Sequence, residues 1–194
     1  MTTQNHNDFP GSSALDPVEI SASQRWWQAT RNDSARFDRW LLAQYRGEHT
    51  AAGRIEGLRD HYAPEGSRAY RLLSVIAKQE RKHARWVGEL LTSRGHALST
   101  QGPAERYWDA PIQAISDLET ACAVGAHAER MRLARIETIA EDPEAPSDVR
   151  SVFARILRDE RFHERAFTSL SSTEKLAATR GAHELGRTAL GLVA

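Results

Sequence analysis

The sequence predicts an all-α protein built as a helical bundle. Three observations carry this reading: long segments whose apolar residues recur with a 3.6-residue period, short breaks rich in Gly, Pro, Asp and Ser between them, and no apolar alternation of period two. At 194 residues the chain suffices for one domain with a core of its own. Its 40% hydrophobic and 27% charged content is that of an ordinary globular protein.

The elements follow in order. MTTQNHNDFPGSSALDP is polar up to about Asp16, so residues 1–20 read as a polar, disorder-prone tail ahead of a bundle domain at 21–194. The segment with Trp26 and Trp27 reads as a short leading helix whose aromatics cover one bundle end. A long helix is expected from Ser34 to Arg59, with Phe37, Leu41, Tyr45, Glu48, Ala52 and Ile55 on one stripe. HYAPEG breaks it, because proline cannot donate to a continuing helix and glycine tolerates the turn. The next helix is expected from Ser67 to Arg94, with Leu72, Ile76, Glu80, His83, Val87 and Leu90 on one face and Gly95 as its stop. A long crossover, Gly95 to Pro111, precedes a third long helix from Ile112 to Glu141 that turns Cys122, Ala126, Glu129, Leu133, Ile136 and Ala140 inward. After DPEAP a fourth begins near Ser147 with Phe153, Ile156, Glu160, His163, Phe167 and Leu170 inward, and Ser172 starts an additional C-terminal helix reaching Leu190. Two short loops and one long crossover are a known bundle connectivity.

Composition narrows the function classes. Lys plus Arg equals Asp plus Glu at 26 each, and the arginines are scattered, so neither nucleic acid nor an anionic membrane is expected as a partner. No run approaches the length of a membrane span and no signal peptide is evident, and the single cysteine, Cys122, forms neither an internal disulfide nor a Cys-rich metal site. A cytoplasmic protein is therefore expected.

The chemistry lies where charge interrupts the apolar stripes. Glu80 and His83 stand three apart in QERKH, and Glu160 and His163 stand three apart in DERFH, a spacing that puts both side chains of each pair on one helix face. Each pair occupies the stripe otherwise filled by Leu, Ile, Val or Phe, and a buried Glu or His must be satisfied by something. The halves of the chain also repeat: Glu48 and Glu129 each precede an RIE tripeptide at matching distance, and they stand 32 and 31 residues before Glu80 and Glu160. Each helical hairpin thus supplies Glu on its first helix and Glu-x-x-His on its second, bringing six ligands to one midplane. Four carboxylates and two neutral imidazoles offset two divalent ions. By position Glu80 and Glu160 are assigned as bridging, catalytic carboxylates, able to hold ions about 3.5–4 Å apart, and Glu48 and Glu129 as terminal ligands. Mixed oxygen and imidazole ligation suits iron, manganese or a mixed pair; zinc fits on affinity but is redox-inert.

In these residues the chain resembles the ferritin-like di-iron carboxylate superfamily from about Ser34 to Leu170, in a rubrerythrin-like form without a rubredoxin-type domain, since it has no cysteine pairs for one. The resemblance implies a ferritin-like four-helix bundle with an additional C-terminal helix, and metal ligands at Glu48, Glu80, His83, Glu129, Glu160 and His163. It implies Asp159 as the acid that orients His83 across the bundle, with Gln79 at the matching place in the other half. It implies two iron ions and a non-haem di-iron oxidoreductase, an O2-dependent oxidase or oxygenase acting on a small organic substrate, supplied by an external electron donor and compatible with a homodimer. An iron-binding ferroxidase or a peroxide-scavenging rubrerythrin-like protein is the alternative it leaves open.

Several residues have weaker signals. Tyr45, one turn before Glu48, can hydrogen-bond a ligand or pack in the core. Small residues Ala52, Gly125 and Ala126 can leave a channel or simply allow close helix packing. His49 and His127 adjoin ligand glutamates but are out of helical phase with them. Cys122 reads as a small buried hydrophobe. Arg130, Arg132 and Arg135 read as a solvated basic strip.

Overall fold

Short polar side chains at four positions fix where the helices begin. Asp33, Ser67, Asp117 and Ser172 each accept a hydrogen bond from the backbone N–H three residues on, satisfying a donor that has no partner inside the helix. In the computed structural model, which describes residues 17–103 and 105–190, the helices are α1 (Pro17–Arg31), α2 (Ser34–Tyr62), α3 (Arg68–Ser93), α4 (Leu118–Glu141), α5 (Ser147–Ser169) and α6 (Thr173–Ala189). Two 3-10 turns, Arg106–Asp109 and Pro111–Ala114, lie in the crossover between α3 and α4. The expected tail lies outside the described residues up to position 16. No strand occurs among the described residues, and no helix there is long and apolar enough to cross a membrane.

Two helix boundaries differ from expectation. The first long helix runs on to Tyr62, past Arg59, and ends only where Ala63 turns extended before Pro64. The third begins at Leu118 rather than Ile112, because Asp117 takes the cap and Pro111 opens a separate 3-10 turn. Gly95 closes α3 as expected: with φ of 80° it lets its own N–H reach the Thr92 carbonyl and the His96 N–H reach that of Leu91, at 3.0 Å each.

Two large apolar clusters fill the bundle core with the charged residues between them, and a small third one, Tyr107, Ala128 and Met131, lies under the crossover. One of the large two contains Leu41, Val87, Leu133 and Ile156; the other contains Ile55, Ile76, Ala126 and Phe167. Every long helix passes from one cluster to the other, and each crosses the gap at its glutamate. The order in which the clusters are met makes α2 antiparallel to α3 and α4 antiparallel to α5, while α3 and α4 run the same way. That parallel step is why the crossover has to be long. Hairpins α2/α3 and α4/α5 pair closely, and α1 and α6 pack on α4.

The bundle is tied down at one end and along its side. Trp27 donates from Nε1 to Asp142 at 2.7 Å and packs with Trp26, Phe37 and Trp40, so the leading helix does cap that end with aromatics. The crossover is held to α6 by Tyr107, 1% exposed, whose hydroxyl lies 2.8 Å from His183 Nδ1. Gly186 permits this contact: a Cβ there would lie 2.6 Å from the Tyr107 carbonyl oxygen.

Candidate metal centre

Glu48, Glu80, His83, Glu160 and His163 are fully buried, and Glu129 is 5% exposed. Four carboxylates at the waist of a bundle, flanked above and below by apolar clusters, demand compensation. Their donor atoms form two groups in which all atoms lie within 4.8 Å of one another: Glu48, Glu80, His83 and Glu160 in one, Glu80, Glu129, Glu160 and His163 in the other. Glu80 and Glu160 belong to both. Each of these two offers one oxygen to either side: Glu80 Oε2 and Glu160 Oε1 lie 3.9 and 3.5 Å from His83 Nδ1, while Glu80 Oε1 and Glu160 Oε2 lie 3.2 and 3.1 Å from His163 Nδ1. Glu48 Oε2 stands 3.6 Å from His83 Nδ1.

The outer nitrogens of the two imidazoles are joined through a polar chain. His83 Nε2 is 3.0 Å from Asp159 Oδ2, and because a carboxylate only accepts, the proton on that nitrogen points outward. Gln79 donates its amide N–H to Asp159 Oδ1 at 2.9 Å, which turns its carbonyl oxygen toward His163 Nε2, 3.1 Å away. Lys82 Nζ, 2.7 Å from Asp159, balances the charge of the acid. Nδ1 of each ring is thereby aimed at the carboxylates.

Two contributors escaped the sequence reading. Arg132 is not part of a solvated strip: its Nη2 donates to Glu48 Oε1 at 2.6 Å and stands 3.6 Å from Glu160 Oε1, and its Nη1 is 4.0 Å from Glu129. Arg135 is no surface cation either, since its guanidinium stacks over Trp26 at 4.9 Å. Gln44 is the second, its amide donating to Glu48 Oε1. The 3.6-residue period explains why Gln44 and not Tyr45 meets the ligand: residue i−4 sits about 40° to one side of Glu48 and i−3 about 60° to the other. Tyr45 instead packs against Gly88 of α3. His49 lies on the outer α2/α3 groove, and His127 stacks on His183 with Nε2 3.0 Å from the Leu176 carbonyl, so neither joins the donors. Cys122 is fully buried, which pushes its thiol up to about 12.

The electrostatics follow from this crowding. Burial alone would raise every carboxyl pKa. For Glu48 burial is outweighed by the charge of Arg132 and then by the neighbouring His83 and Glu80, bringing the group down to about 2. Burial together with the charges of Glu48 and Glu160 lifts Glu80 to about 8. Glu129 is also raised, by burial and then Glu160. Glu160 is lowered, burial losing to Arg132 and His163. Burial opposes charge on His83 and His163, but the surrounding glutamates win and hold them at about 11 and 10. The site is an anionic well that draws in whatever positive charge is at hand.

Whether metal ions suit this well is answered by the unmet polar atoms. Among the described residues seven buried side-chain atoms lack a hydrogen-bond partner, and six belong here: Glu48 Oε2, both oxygens of Glu80, His83 Nδ1, Glu129 Oε2 and Glu160 Oε1. Buried polar atoms are rarely left so. Their concentration on the inward faces of two overlapping donor sets, with the outward nitrogens satisfied, is what a pair of cations requires. Oxygen-rich sets with one imidazole each favour iron or manganese over softer-ligand metals.

Comparison with known proteins adds one finding. The Rubrerythrin family model matches residues 40–171, most of the chain and all six donors. No curated protein and no solved structure matches it.

Proposed function

We propose, since the chain belongs to the rubrerythrin family, that it is a di-iron oxidoreductase which reduces peroxide, or O2, at the expense of ferrous iron held by Glu48, Glu80, His83, Glu129, Glu160 and His163. The observation that carries this reading is that Glu80 and Glu160 are shared between the two donor sets, each turning one oxygen to each imidazole. They are the bridging carboxylates of the proposal, with Glu48 and Glu129 terminal. Two ferrous ions would supply together the two electrons that turn a peroxide into water.

The chain's own residues do the rest. Asp159 and Gln79 hold the rings in the orientation that presents Nδ1 inward. The apolar clusters on either side keep bulk water from the midplane, which strengthens every charge interaction there. Arg132 fixes a positive charge beside Glu48 and Glu160, where it would offset negative charge developing at the centre. The proposal expects an outside electron donor, since the single cysteine of this sequence cannot build a cysteine-ligated iron site.

The test is anaerobic loading with ferrous iron followed by hydrogen peroxide. The proposal expects loss of about one peroxide per two irons oxidised, by the electron count above, and a new visible absorption of ferric iron. Iron that binds but is oxidised no faster than free iron would overturn it. A second reading, oxidation of a small organic substrate with O2, is favoured by one observation: an apolar cavity of about 370 Å3 between α2 and α4 has Glu129 and Arg132 in its wall.

A further inference from the structure

That cavity is larger than peroxide or O2 needs, and within the range of small-molecule sites, roughly 300–1,000 Å3. It follows α2 from Ala51 to Tyr62, about 16 Å at the helical rise, and its opposite wall is the small-residue face of α4, Ala121, Gly125 and Ala128. Gly125 is needed for that wall, since a Cβ there would meet the Phe167 ring at 2.9 Å. Residues of the crossover, Trp108, Ile112 and Ile115, close the third side. The lining is apolar apart from a few groups, and its only acidic residue is Glu129 at the metal-centre end.

Two arginines stand in this wall. Arg132 is committed to the glutamates. Arg54 is not: it is half-buried, its guanidinium carbon lies over the Trp108 ring at 4.6 Å from the centroid, and it has no hydrogen-bond or ion-pair partner among the described residues. Burial pulls its pKa below the ordinary arginine value, with Glu105 offsetting this only in part, so the charge is under-compensated. A planar guanidinium held rigid by an aromatic face presents a fork of donors to one planar anion. An apolar frame with one free guanidinium suits a monocarboxylate; a phosphate would need more donors, and a cationic amine would be repelled.

We propose that the α2/α4 cavity binds an apolar monocarboxylate, aromatic or medium-chain aliphatic, with its carboxylate on Arg54 and its apolar body against Ile55, Leu58 and Val124. This assigns a chemical class to a ligand beside the metal centre. It concerns binding and stands apart from the redox reading.

The test is calorimetric titration of the full-length chain with phenylacetate and hexanoate and with their neutral counterparts 2-phenylethanol and hexan-1-ol, with and without bound divalent metal. A charge-assisted pair predicts that the acids bind about tenfold tighter or more than the alcohols. Arg54→Met, which keeps length and loses the charge, brings the acids down to the level of the alcohols and leaves alcohol binding in place, while Ala51→Phe fills the cavity and abolishes both. Equal affinity for acid and alcohol in the wild type, no binding of either, or an acid preference that survives Arg54→Met would each overturn the assignment. Because the titration is read without metal as well, failure of iron to bind leaves this result intact, and iron uptake without acid preference sinks only this inference.

Discussion

Arg132 is the residue whose replacement says most about the centre. In the metal-stripped protein its guanidinium stands 2.6 and 3.6 Å from Glu48 and Glu160, and the surrounding carboxylates raise its pKa despite burial, so it stays charged. Arg132→Met keeps most of the packing volume and removes the charge. Breaking a buried ion pair by deleting one partner costs about 3–5 kcal/mol, and because the Arg132 side chain is 22% exposed, solvent screening brings this to about 2–3 kcal/mol. For a chain of this size that is a fall in melting temperature of roughly 5–10 °C. With two divalent ions bound the four carboxylates are already neutralised, and the same substitution should cost about 2 °C or less. The difference is a coupling energy, so the variant should bind the metal pair about 10- to 150-fold more tightly than the wild type. Thermal melts followed by circular dichroism, on metal-stripped and manganese-loaded samples of both proteins, measure all four corners of the cycle. An equal loss with and without metal would refute the reasoning, since Arg132 would then be a packing residue and not the stand-in for a bound cation.

Other perturbations have equally definite outcomes. Asp159→Ala removes the acceptor of the His83 Nε2 proton and should weaken metal binding about 10- to 100-fold, which isothermal titration with Mn2+ would show; unchanged affinity would mean His83 is oriented by packing alone. Gly186→Ala drives a methyl group into the Tyr107 carbonyl and ring and should cost about 1–3 kcal/mol in urea unfolding, whereas a neutral result would mean the crossover moves freely off α6. Burial, followed by His127, depresses His183 from 6.5 to about 4, so its neutral form contributes stability that is complete above pH 6.5 and lost as the pH falls toward 4, where the unfolded chain takes up the proton first. Discounted for partial exposure, the stability gap between wild type and His183→Gln should narrow by about 2 kcal/mol between pH 7 and 4.5, and a gap independent of pH would remove His183 as the group responsible.

Much of this protein is written in its helical period. The apolar stripes place the four bundle helices, and the centre is legible because Glu48, Glu80, His83, Glu129, Glu160 and His163 break those stripes at one height in two repeated hairpins. Arg132 reads as solvated because it stands on an arginine-rich helix. Its signal was present: it stands three residues after Glu129, the same spacing that joins Glu80 to His83 and Glu160 to His163, and so faces the same point. Gln44 and Tyr45 show the limit of phase arguments, since neighbouring residues on either side of a ligand's direction meet different helices. The sequence pattern starts α4 too early because Pro111 reads as a helix opener, and only the Asp117 side chain settles which backbone donors are capped. The Arg54 and Trp108 pairing joins α2 to the crossover, and a contact between segments so far apart leaves no periodic trace.

The overlapping donor sets make one direct demand on metal content. Elemental analysis after iron or manganese loading should give about two ions per chain for the wild type and about one for Glu48→Gln, which damages only one set, but none for Glu80→Gln or Glu160→Gln, whose oxygens serve both. Uptake of a single ion by the wild type, or retention of one ion when either shared glutamate is replaced, would contradict a centre in which two cations are held across Glu80 and Glu160.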